Sequence, residues 1–226
     1  MLGPHIARDF DSAMASLRNE LLSMASQTRL NLERAIGAVM TRNAELANAV
    51  IADDDEVDEL ERKIDQAGMT ILIRYHPVAS DLRVVLSSMK ISTNLERISD
   101  HATNIAKRAR KIAMNPELPD VSLIEPLYTL ANQLLCDAIT SYRDRDPSLG
   151  ATLHDRDKEL DQMHKKVIEI YSSRLESEKR RSEDYLHLIF IIRSLERVGD
   201  LSTNIGEDAV FLEMARDLRH VSDRTL

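Results

Sequence analysis

One short string of residues occurs twice in this chain, one hundred positions apart, and it constrains the fold more than any other feature of the sequence. The first copy is Leu95-Glu96-Arg97-Ile98-Ser99-Asp100 followed by Thr103-Asn104-Ile105, and the second is Leu195-Glu196-Arg197-Val198-Gly199-Asp200 followed by Thr203-Asn204-Ile205. In each copy a Glu, an Asp and an Asn stand four residues apart, so a helix carries all three on one side. A chain of 226 residues with such a repeat is expected to fold as two related units.

The spacing of apolar residues predicts helices almost throughout. The stripe around the first copy consists of Ile91, Leu95, Ile98, Ala102, Ile105, Ala109 and Ile112, and its counterpart consists of Leu188, Ile191, Leu195, Val198, Ile205, Ala209 and Leu212. These three- and four-residue steps are the helix period, and no segment alternates convincingly like a β-strand. Glycine and proline are scarce, with six of each, and helix-forming residues are abundant. We therefore predict an all-α fold.

Breaks in the helical pattern divide the chain into six helices. Capping residues, prolines and a polar run mark the breaks, because each of them ends or restarts the helical ladder. The predicted helices are residues 8–42, 44–76, 79–114, 122–145, 147–177 and 181–219. Three helices with short connections are typical of an antiparallel bundle. We predict two tandem antiparallel three-helix bundles related by internal duplication, the first repeat at residues 1–118 and the second at residues 119–226.

Composition limits the functions that are open to the chain. The formal net charge of −8 argues against nucleic acid as a main partner, because a phosphate backbone needs a basic surface. Cys136 is the only cysteine, which excludes a disulfide framework and a cysteine-based zinc site. The N-terminus lacks a secretory pattern, and the longest apolar stretch, residues 186–192, is far shorter than the roughly 20 residues that span a bilayer. We expect a cytoplasmic protein with at most peripheral membrane association.

A second pair of acidic residues precedes the first copy of the string. Asp54 and Asp58 stand four residues apart, as Glu96 and Asp100 do. Asp58 and Glu96 lie 19 residues on either side of Pro77, which is the predicted turn, and Asp54 and Asp100 lie 23 residues on either side of it. Two antiparallel helices have the same rise per residue, so each acid is expected to lie level with its partner across the hairpin.

The second half repeats this arrangement. Asp157 and Asp161 match the first upstream pair at a shift of 103 residues. Asp161 with Glu196, and Asp157 with Asp200, share a midpoint between residues 178 and 179, inside the polar run that serves as the turn. The sequence therefore predicts one cluster of four carboxylates in each half.

Four carboxylates at close range do not all stay ionised without a cation. Carboxylate oxygens suit Mg²⁺, Mn²⁺ or Fe, and Zn²⁺ also binds such groups. A single Glu-x-x-x-Asp is usually a solvated acidic face, but the mirrored placement in both halves favours metal binding. Because the acids lie off the apolar stripe or on its shoulder, we expect the sites on surface seams between helices. The predicted metal ligands are Asp54, Asp58, Glu96, Asp100, Asp157, Asp161, Glu196 and Asp200.

Other residues distinguish the two halves. Glu207 lies eleven residues beyond Glu196, nearly three helical turns, and returns to the acidic face, whereas its counterpart in the first half is Lys107. The first site is therefore expected to be less anionic and to bind metal more weakly or to hold fewer ions. His101 and His164 neighbour the acids, and each is either a metal ligand or a solvated helix residue.

The two repeated strings, the two upstream Asp-x-x-x-Asp pairs and the turn segment 76–83 resemble the PhoU family of accessory and regulatory proteins of phosphate-specific transport. The resemblance covers about residues 10–215. It implies two three-helix bundles with surface metal clusters, in a bacterial cytoplasmic protein that often dimerises. It also implies a negative regulator of the phosphate-starvation response that links a phosphate ABC transporter to a membrane sensor kinase. Ser99, where the family usually has Gly, and Lys107, where it often has an acid, depart from the family pattern.

Two other classes of protein remain open from the residues themselves. A metal-dependent enzyme or a metal store could be built on the same bundle, and so could a helical scaffold without metal. The chain has no Glu-x-x-His motif of the ferritin type, no nucleophile–base pair and no Gly-rich phosphate loop. We therefore expect a protein that is not an enzyme and acts by docking.

Overall fold

The computed structural model describes residues 4–115 and 120–216, and within these ranges the chain contains helices and no strand. The α-helices are α1 (Pro4–Thr41), α2 (Ala44–Ala52), α3 (Asp54–Tyr75), α4 (Ala79–Ala113), α5 (Ile124–Asp144), α6 (Pro147–Ser177) and α7 (Ser182–Met214), with a 3-10 turn at Lys179–Arg181. The all-α prediction is confirmed. The predicted domain boundary between residues 118 and 119 lies outside the described residues and stays a prediction.

The duplication is visible in the backbone at the first turn of each half. Arg42 directly follows α1 and Arg145 directly follows α5, and both arginines have left-handed conformations, with φ of 55° and 56°. In each half the following residue caps the next helix: Asn43 accepts from the N–H of Leu46, and Asp146 accepts from the N–H groups of Ser148 and Leu149. A capping side chain satisfies N–H groups that have no partner within the helix, so both halves use the same local chemistry to turn.

The predicted helix at residues 44–76 was wrong, because the structure divides it at Asp53 into α2 and α3. Asp54, Asp55 and Glu56 form the first turn of α3, where acidic side chains are stabilised by the positive end of the helix dipole. This acidic run favours a new helix start at this point. The equivalent stretch of the second half, around Arg156, continues without a break in α6.

The last predicted helix was also too long. α7 ends at Met214, because Ala215 takes a left-handed conformation with φ of 54° and its N–H bonds to the carbonyl of Phe211. The predicted extension to residue 219 is therefore wrong at residues 215 and 216, and residues beyond 216 lie outside the described part of the chain.

The two bundles share one continuous hydrophobic core. In the first half α1 and α4 pack together with α2 and α3, and in the second half α5 and α6 pack on α7. α4 and α7 also pack against each other, and this contact joins the halves. The apolar residues of both repeated strings are fully buried in the core, namely Leu95, Ile98, Ile105, Leu195, Val198 and Ile205.

Polar contacts show that α4 and α7 run antiparallel to each other. Near the start of α4, Ser87 donates to the carbonyl of Asp208 at 3.2 Å. Near its end, Arg108 lies 3.1 Å from Nδ1 of His187. A shift of one hundred residues exchanges these two contacts, so the α4–α7 packing has an approximate two-fold axis. The repeated strings therefore lie beside each other at the middle of this packing.

Two ion pairs occupy equivalent positions with their charges exchanged. Arg34 of α1 pairs with Asp53 at 3.1 Å, and Asp137 of α5 pairs with Arg156 of α6 at 2.6 Å. Both members of the second pair lie 103 residues beyond those of the first. Arg34 holds α1 against the junction of α2 and α3 at Asp53, and Asp137 holds α5 against α6. The attraction is kept because both charges are exchanged.

This exchange predicts compensation between charge reversals. Arg34→Asp or Asp53→Arg alone is expected to lower the free energy of unfolding by about 0.5–1 kcal/mol, because each leaves like charges in a partly exposed position. The double variant is expected to recover most of the loss, and urea denaturation of all four proteins measures it. A double variant as unstable as the two losses combined would contradict the prediction.

None of the described helices has the length and apolar character needed to cross a lipid bilayer.

Candidate metal centre

The four acids of the first half face one another across the α3–α4 hairpin. α3 is followed by His76, whose left-handed backbone turns the chain towards α4. Burial raises the pKa of Asp54, and the charges of Asp100 and Asp58 raise it further. Burial also raises the pKa of Glu96, to about 7, with contributions from Asp100, Glu61 and Asp58. The acids that the residue spacing placed at equal height therefore interact across the hairpin.

Glu61 belongs to this first cluster although the sequence analysis did not select it. Its charge is among those that raise the pKa of Glu96. It follows Asp58 by three residues and so lies on the same face of α3. The three-residue spacing from Asp58 is the sequence signal for Glu61, and it differs from the four-residue spacing of the other acids.

The four acids of the second half are also coupled, between α6 and α7. Burial raises the pKa of Asp157 to about 7, and the charges of Asp200, Asp161 and Glu196 contribute in that order. Burial is likewise the main reason that the pKa values of Glu196 and Asp200 are raised. Arg197 offsets part of this effect, since its guanidinium lies 3.0 Å from Asp200 and 3.5 Å from Glu196.

An open cleft of about 690 Å³ brings the two repeated strings to one place. The second cluster contributes Asp157, Asp161 and Asp200 to its walls, and the first string contributes Asp100 and His101. The sequence predicted two separate sites, one in each half. The α4–α7 packing instead places an acid of the first cluster in the cleft of the second.

Residues 21–109 and 124–209 each match the PhoU domain, so the matches cover most of the chain. The chain belongs to the PhoU family. The two matched ranges begin 103 residues apart, as the duplication requires, and each includes one acidic cluster. The first 20 residues, most of which form the beginning of α1, precede the first matched domain.

Named PhoU proteins are similar to the chain over nearly their whole lengths. The phosphate-specific transport system accessory protein PhoU of Escherichia coli (strain K12) is 30% identical over 220 residues, which are 97% of this chain and 91% of that protein. The PhoU homolog of Xylella fastidiosa (strain Temecula1 / ATCC 700964) is 30% identical over 208 residues, with 92% and 86% covered. Both are named accessory proteins of a transport system.

Solved PhoU structures share the fold. The crystal structure of PhoU from Pseudomonas aeruginosa superposes with a TM-score of 0.88 and 28% identity, covering 92% of this chain and 100% of that one. The phosphate transport system regulatory protein PhoU from Streptococcus pneumoniae superposes with a TM-score of 0.84, covering 92% and 99%, and at 23% identity it supports the fold alone. Duplicated three-helix bundles are thus the architecture of this PhoU chain.

The second cluster contains buried oxygen atoms without partners. In the first half, the hydroxyl of Thr103 donates to Asp54 at 3.0 Å. The equivalent atoms of the second half, Oγ1 of Thr203 and Oδ1 of Asp157, are both buried and have no hydrogen-bond partner. Buried polar atoms without partners are costly, so this pair of atoms fits a site that is completed by a ligand.

Gly199 makes room for this arrangement. A Cβ atom at position 199 would lie 2.6 Å from Oδ1 of Asp157 and 2.3 Å from a methyl carbon of Leu160. Glycine therefore allows α6 and its carboxylate to approach α7. In the first half the equivalent Ser99 is buried and accepts a hydrogen bond from Asn31 at 3.3 Å.

The donor atoms are of the kind that binds a divalent cation, but their side chains do not converge on one point. Carboxylate and hydroxyl oxygens are the ligands that hard cations prefer. In residues 4–115 and 120–216, no group of three or more Asp, Glu, His or Cys side chains is arranged to hold one metal ion. Metal binding by the eight acids stays a prediction. It requires the acidic side chains to rotate into a common site, while the helices that carry them already lie close together.

Lys107 and Glu207 lie where the sequence analysis placed them. The charge of Lys107 lowers the pKa of Asp54, so this lysine acts on the first cluster. Glu207 lines the cleft of the second cluster and is only 9% exposed. The first cluster thus carries a positive charge at a position where the second carries an acid.

Proposed function

We propose that this chain is a cytoplasmic, metal-binding negative regulator of the phosphate-starvation response. In this role it links a phosphate ABC transporter to a membrane sensor kinase and works as a homodimer without catalytic activity. The support is the similarity to phosphate-specific transport accessory proteins along nearly the whole chain. The structural observation that carries the proposal is that one cluster of interacting carboxylates lies between α3 and α4 and the other between α6 and α7, while α4 and α7 join the halves.

The position of the clusters suggests how metal would act. A divalent ion supplies positive charge that neutralises the crowded carboxylates when it is bound. Carboxylates on α6 and α7, together with Asp100 on α4, line one cleft. A cation in this cleft would therefore favour one packing of α4 against α7. A partner that prefers that packing would bind the loaded protein more tightly, because a ligand shifts a conformational equilibrium by its difference in affinity.

Metal analysis tests the first part of the proposal. Purified wild-type protein is expected to contain divalent metal after exposure to Mg²⁺, Mn²⁺, Fe²⁺ or Zn²⁺ and gel filtration. Glu96→Ala/Asp100→Ala and Glu196→Ala/Asp200→Ala are each expected to remove the metal of the half that they alter, since each removes two predicted ligands. The first variant is also expected to weaken binding in the cleft of the second cluster, because Asp100 lines that cleft. The measurement is elemental analysis per chain.

A matched control is available on α3. Asp55 and Glu59 are also acids four residues apart, and both are exposed. Asp55→Ala/Glu59→Ala is expected to leave the metal content unchanged, because a solvated acidic face holds no ion. Equal loss of metal in this control, or no metal in the wild type, would contradict the assignment.

Deletion of the gene tests the regulatory role. In phosphate-replete medium, the deletion strain is expected to express phosphate-starvation genes and to take up phosphate faster, because the repressing link is lost. The wild-type gene should restore repression, and the wild-type protein should co-purify with the transporter or the kinase. Unchanged expression and uptake in the deletion strain would contradict the role. Redox or hydrolytic turnover that requires Glu196 and Asp200 would instead support an enzyme.

A further inference from the structure

A cation lies against an aromatic ring at each end of the α4–α7 packing. Near the start of α4, the ammonium of Lys90 lies 5.4 Å from the centre of the Phe211 ring and 3.6 Å from a carboxylate oxygen of Asp208. Near the end of α4, the guanidinium carbon of Arg108 lies 3.9 Å from the centre of the Phe190 ring. A shift of one hundred residues relates Arg108 to Asp208 and Lys90 to Phe190, so the same approximate two-fold axis relates the two arrangements.

Arg108 is held in place without a carboxylate. A guanidinium has only N–H donors, so Nδ1 of His187, 3.1 Å away, accepts the hydrogen bond between them. Burial lowers the pKa of Arg108, and no acid offsets that effect. Among the described residues, 4–115 and 120–216, no carboxylate forms an ion pair with Arg108. A partly desolvated charge without a counter-charge is costly, so Arg108 fits a site that an external anion completes.

The surface around Arg108 is basic and apolar. On α4, Lys111 follows Arg108 by three residues, so one side of the helix carries both. On α7, Leu186 and Phe190 are exposed and stand four residues apart, and the exposed Arg193 follows Phe190 by three residues. We call these residues the basic patch, namely Arg108, Lys111, Leu186, Phe190 and Arg193.

The two acids in the first turn of α7 do not pair with the patch. Asp184 is buried and accepts a hydrogen bond from Asn115 at 2.7 Å. Glu183 lies 3.8 Å from Nε2 of His187, which is the ring nitrogen that does not bond to Arg108. The positive charge of the patch is therefore available to a partner.

The chemistry of the patch indicates which kind of partner fits it. A guanidinium fixed by a ring and by a hydrogen bond presents its other N–H groups as a rigid fork, which suits both oxygens of a carboxylate. Exposed apolar side chains beside it suit apolar residues next to that carboxylate. An anionic bilayer is an extended surface, and the net charge of −8 opposes approach to it. A short acidic segment contacts only the patch and avoids that repulsion.

We propose that the basic patch is a docking site for an acidic segment of a partner protein, in which Arg108 binds a carboxylate and Leu186 and Phe190 contact apolar residues beside it. The partner's carboxylate takes the place that Asp208 takes for Lys90 at the other end of the packing. This proposal rests on the docking role in the proposed function, and it adds the surface and the chemistry of the segment that it binds.

Binding of a model segment to the purified full-length protein tests the proposal. The probe is a short fluorescein-labelled amphipathic peptide with Glu and Asp on one face and Leu and Phe on the other, and fluorescence anisotropy measures its dissociation constant. The wild type is expected to bind this peptide, with an affinity that falls as the salt concentration rises. Arg108→Gln is expected to weaken binding about tenfold or more, because it removes both the charge and the fork.

Further variants separate the contributions to binding. Arg108→Lys keeps the charge without the fork, so its affinity is expected to fall between those of the wild type and Arg108→Gln. Arg108→Asp, which copies the equivalent residue of the second half, should prefer a peptide in which Lys replaces Glu and Asp. Arg8→Gln removes an exposed arginine near the start of α1 and should leave binding unchanged. Far-ultraviolet circular dichroism checks that each variant stays helical.

Several results would overturn the proposal. One is a folded Arg108→Gln protein that binds the peptide as tightly as the wild type does. Another is a wild type that binds the acidic peptide no better than a peptide with Gln in place of its acids. Tighter binding of the wild type to vesicles that contain phosphatidylglycerol than to the peptide, lost in Arg108→Gln, would assign the patch to a lipid surface instead.

A strain with Arg108→Gln in the chromosomal gene distinguishes this proposal from the proposed function. In phosphate-replete medium it is expected to express phosphate-starvation genes as the deletion strain does, although the variant protein is present at the wild-type level. Normal repression in this strain would show that the patch is not the docking site. Derepression in the deletion strain would in that case still support the proposed function.

Discussion

Gly150→Ala is expected to lower the free energy of unfolding by about 2 kcal/mol, because the added methyl group would overlap a carbonyl oxygen of α7 and a hydroxyl of α5. A Cβ atom at position 150 would lie 2.8 Å from the carbonyl oxygen of Gly206 and 2.8 Å from the hydroxyl of Ser141. Neither atom is the end of a long flexible side chain, and Ser141 already donates to the carbonyl of Asp146. Relief of the overlap requires α6 and α7 to separate.

Gly37→Ala is the matched control for this substitution. Gly37 is also inside a helix, but its Cβ atom would meet only a methyl carbon of Leu46, at an ordinary 3.5 Å. Alanine is the better helix former, so this variant is expected to be about 0.5–1 kcal/mol more stable than the wild type. Urea denaturation measures both variants. A similar change in the two would show that the approach of α6 to α7 does not require glycine.

Metal binding is expected to depend on the same approach of the helices. Gly150 and Gly206 allow α6 and α7 to lie close together, and Gly199 leaves space for Asp157. The carboxylates of the second cluster are carried by these two helices. A Gly150→Ala protein that stays folded should therefore hold metal at the second cluster less tightly than the wild type does, with binding at the first cluster unchanged.

Asp157→Asn is expected to raise the stability of the metal-free protein at pH 8. Burial and the neighbouring carboxylates raise the pKa of Asp157 in the folded state to about 7, above its ordinary value of 3.8. The folded state therefore binds a proton that the unfolded state releases, and the stability gained from that proton is lost as the pH rises through about 7. After allowance for the partial exposure of Asp157, the expected gain is of the order of 1 kcal/mol.

The same variant is expected to lose stability relative to the wild type when metal is present. An ion at one hundred times its dissociation constant stabilises the folded state by about 2.7 kcal/mol. Asp157→Asn removes a predicted ligand of the second cluster, so most of this increment should vanish. Thermal unfolding with chelator and with Mn²⁺ or Zn²⁺, at pH 5 and pH 8, measures both effects.

Glu159→Gln is the control for the loss of one negative charge. Glu159 is an exposed acid two residues further along α6. Its replacement is expected to change the stability by less than about 0.5 kcal/mol and to keep the response to metal. If Asp157→Asn behaved in the same way as this control, the carboxylates of the second cluster would be independent solvated groups.

Together these expectations describe acidic clusters that cost stability when empty and add stability when loaded. Glu96 in the first half and Asp157 in the second have pKa values raised to about 7 by burial and by their neighbours. A cation relieves both effects, so occupancy and helix packing are coupled. This coupling is the physical basis on which a regulator of the proposed kind could respond to metal.

The sequence predicted the pairing of the acids because that pairing is a local matter. The charge of Asp100 acts on Asp54, and those of Glu61 and Asp58 act on Glu96, across a hairpin whose turn is marked by Pro77. In two antiparallel helices of equal rise, the distance of each residue from the turn decides which residues lie level. The same reasoning applied to Asp157 and Asp200, although the turn there has no proline. Spacing around the turn was thus sufficient for both clusters.

Other features depended on tertiary packing. At Asp53 the chain could either continue one helix or start a new one, and the structure shows that α3 starts there. The spacing of apolar residues is the same in both cases and therefore does not predict the break. Oδ1 of Asp157 and Oγ1 of Thr203 are buried without hydrogen-bond partners, and this can be recognised only when the positions of all neighbouring atoms are known. The place of Glu61 in the first cluster became evident only from its effect on the pKa of Glu96 in the fold.

The sequence by itself determined that this protein is a duplicated all-α chain with an acidic cluster on each hairpin, because helix period and residue spacing act over short distances. Only the tertiary structure decided that α4 and α7 lie side by side and bring Asp100 into the cleft of Asp157 and Asp200. That packing depends on how side chains one hundred residues apart fit together, and a helical repeat carries no information on such fits.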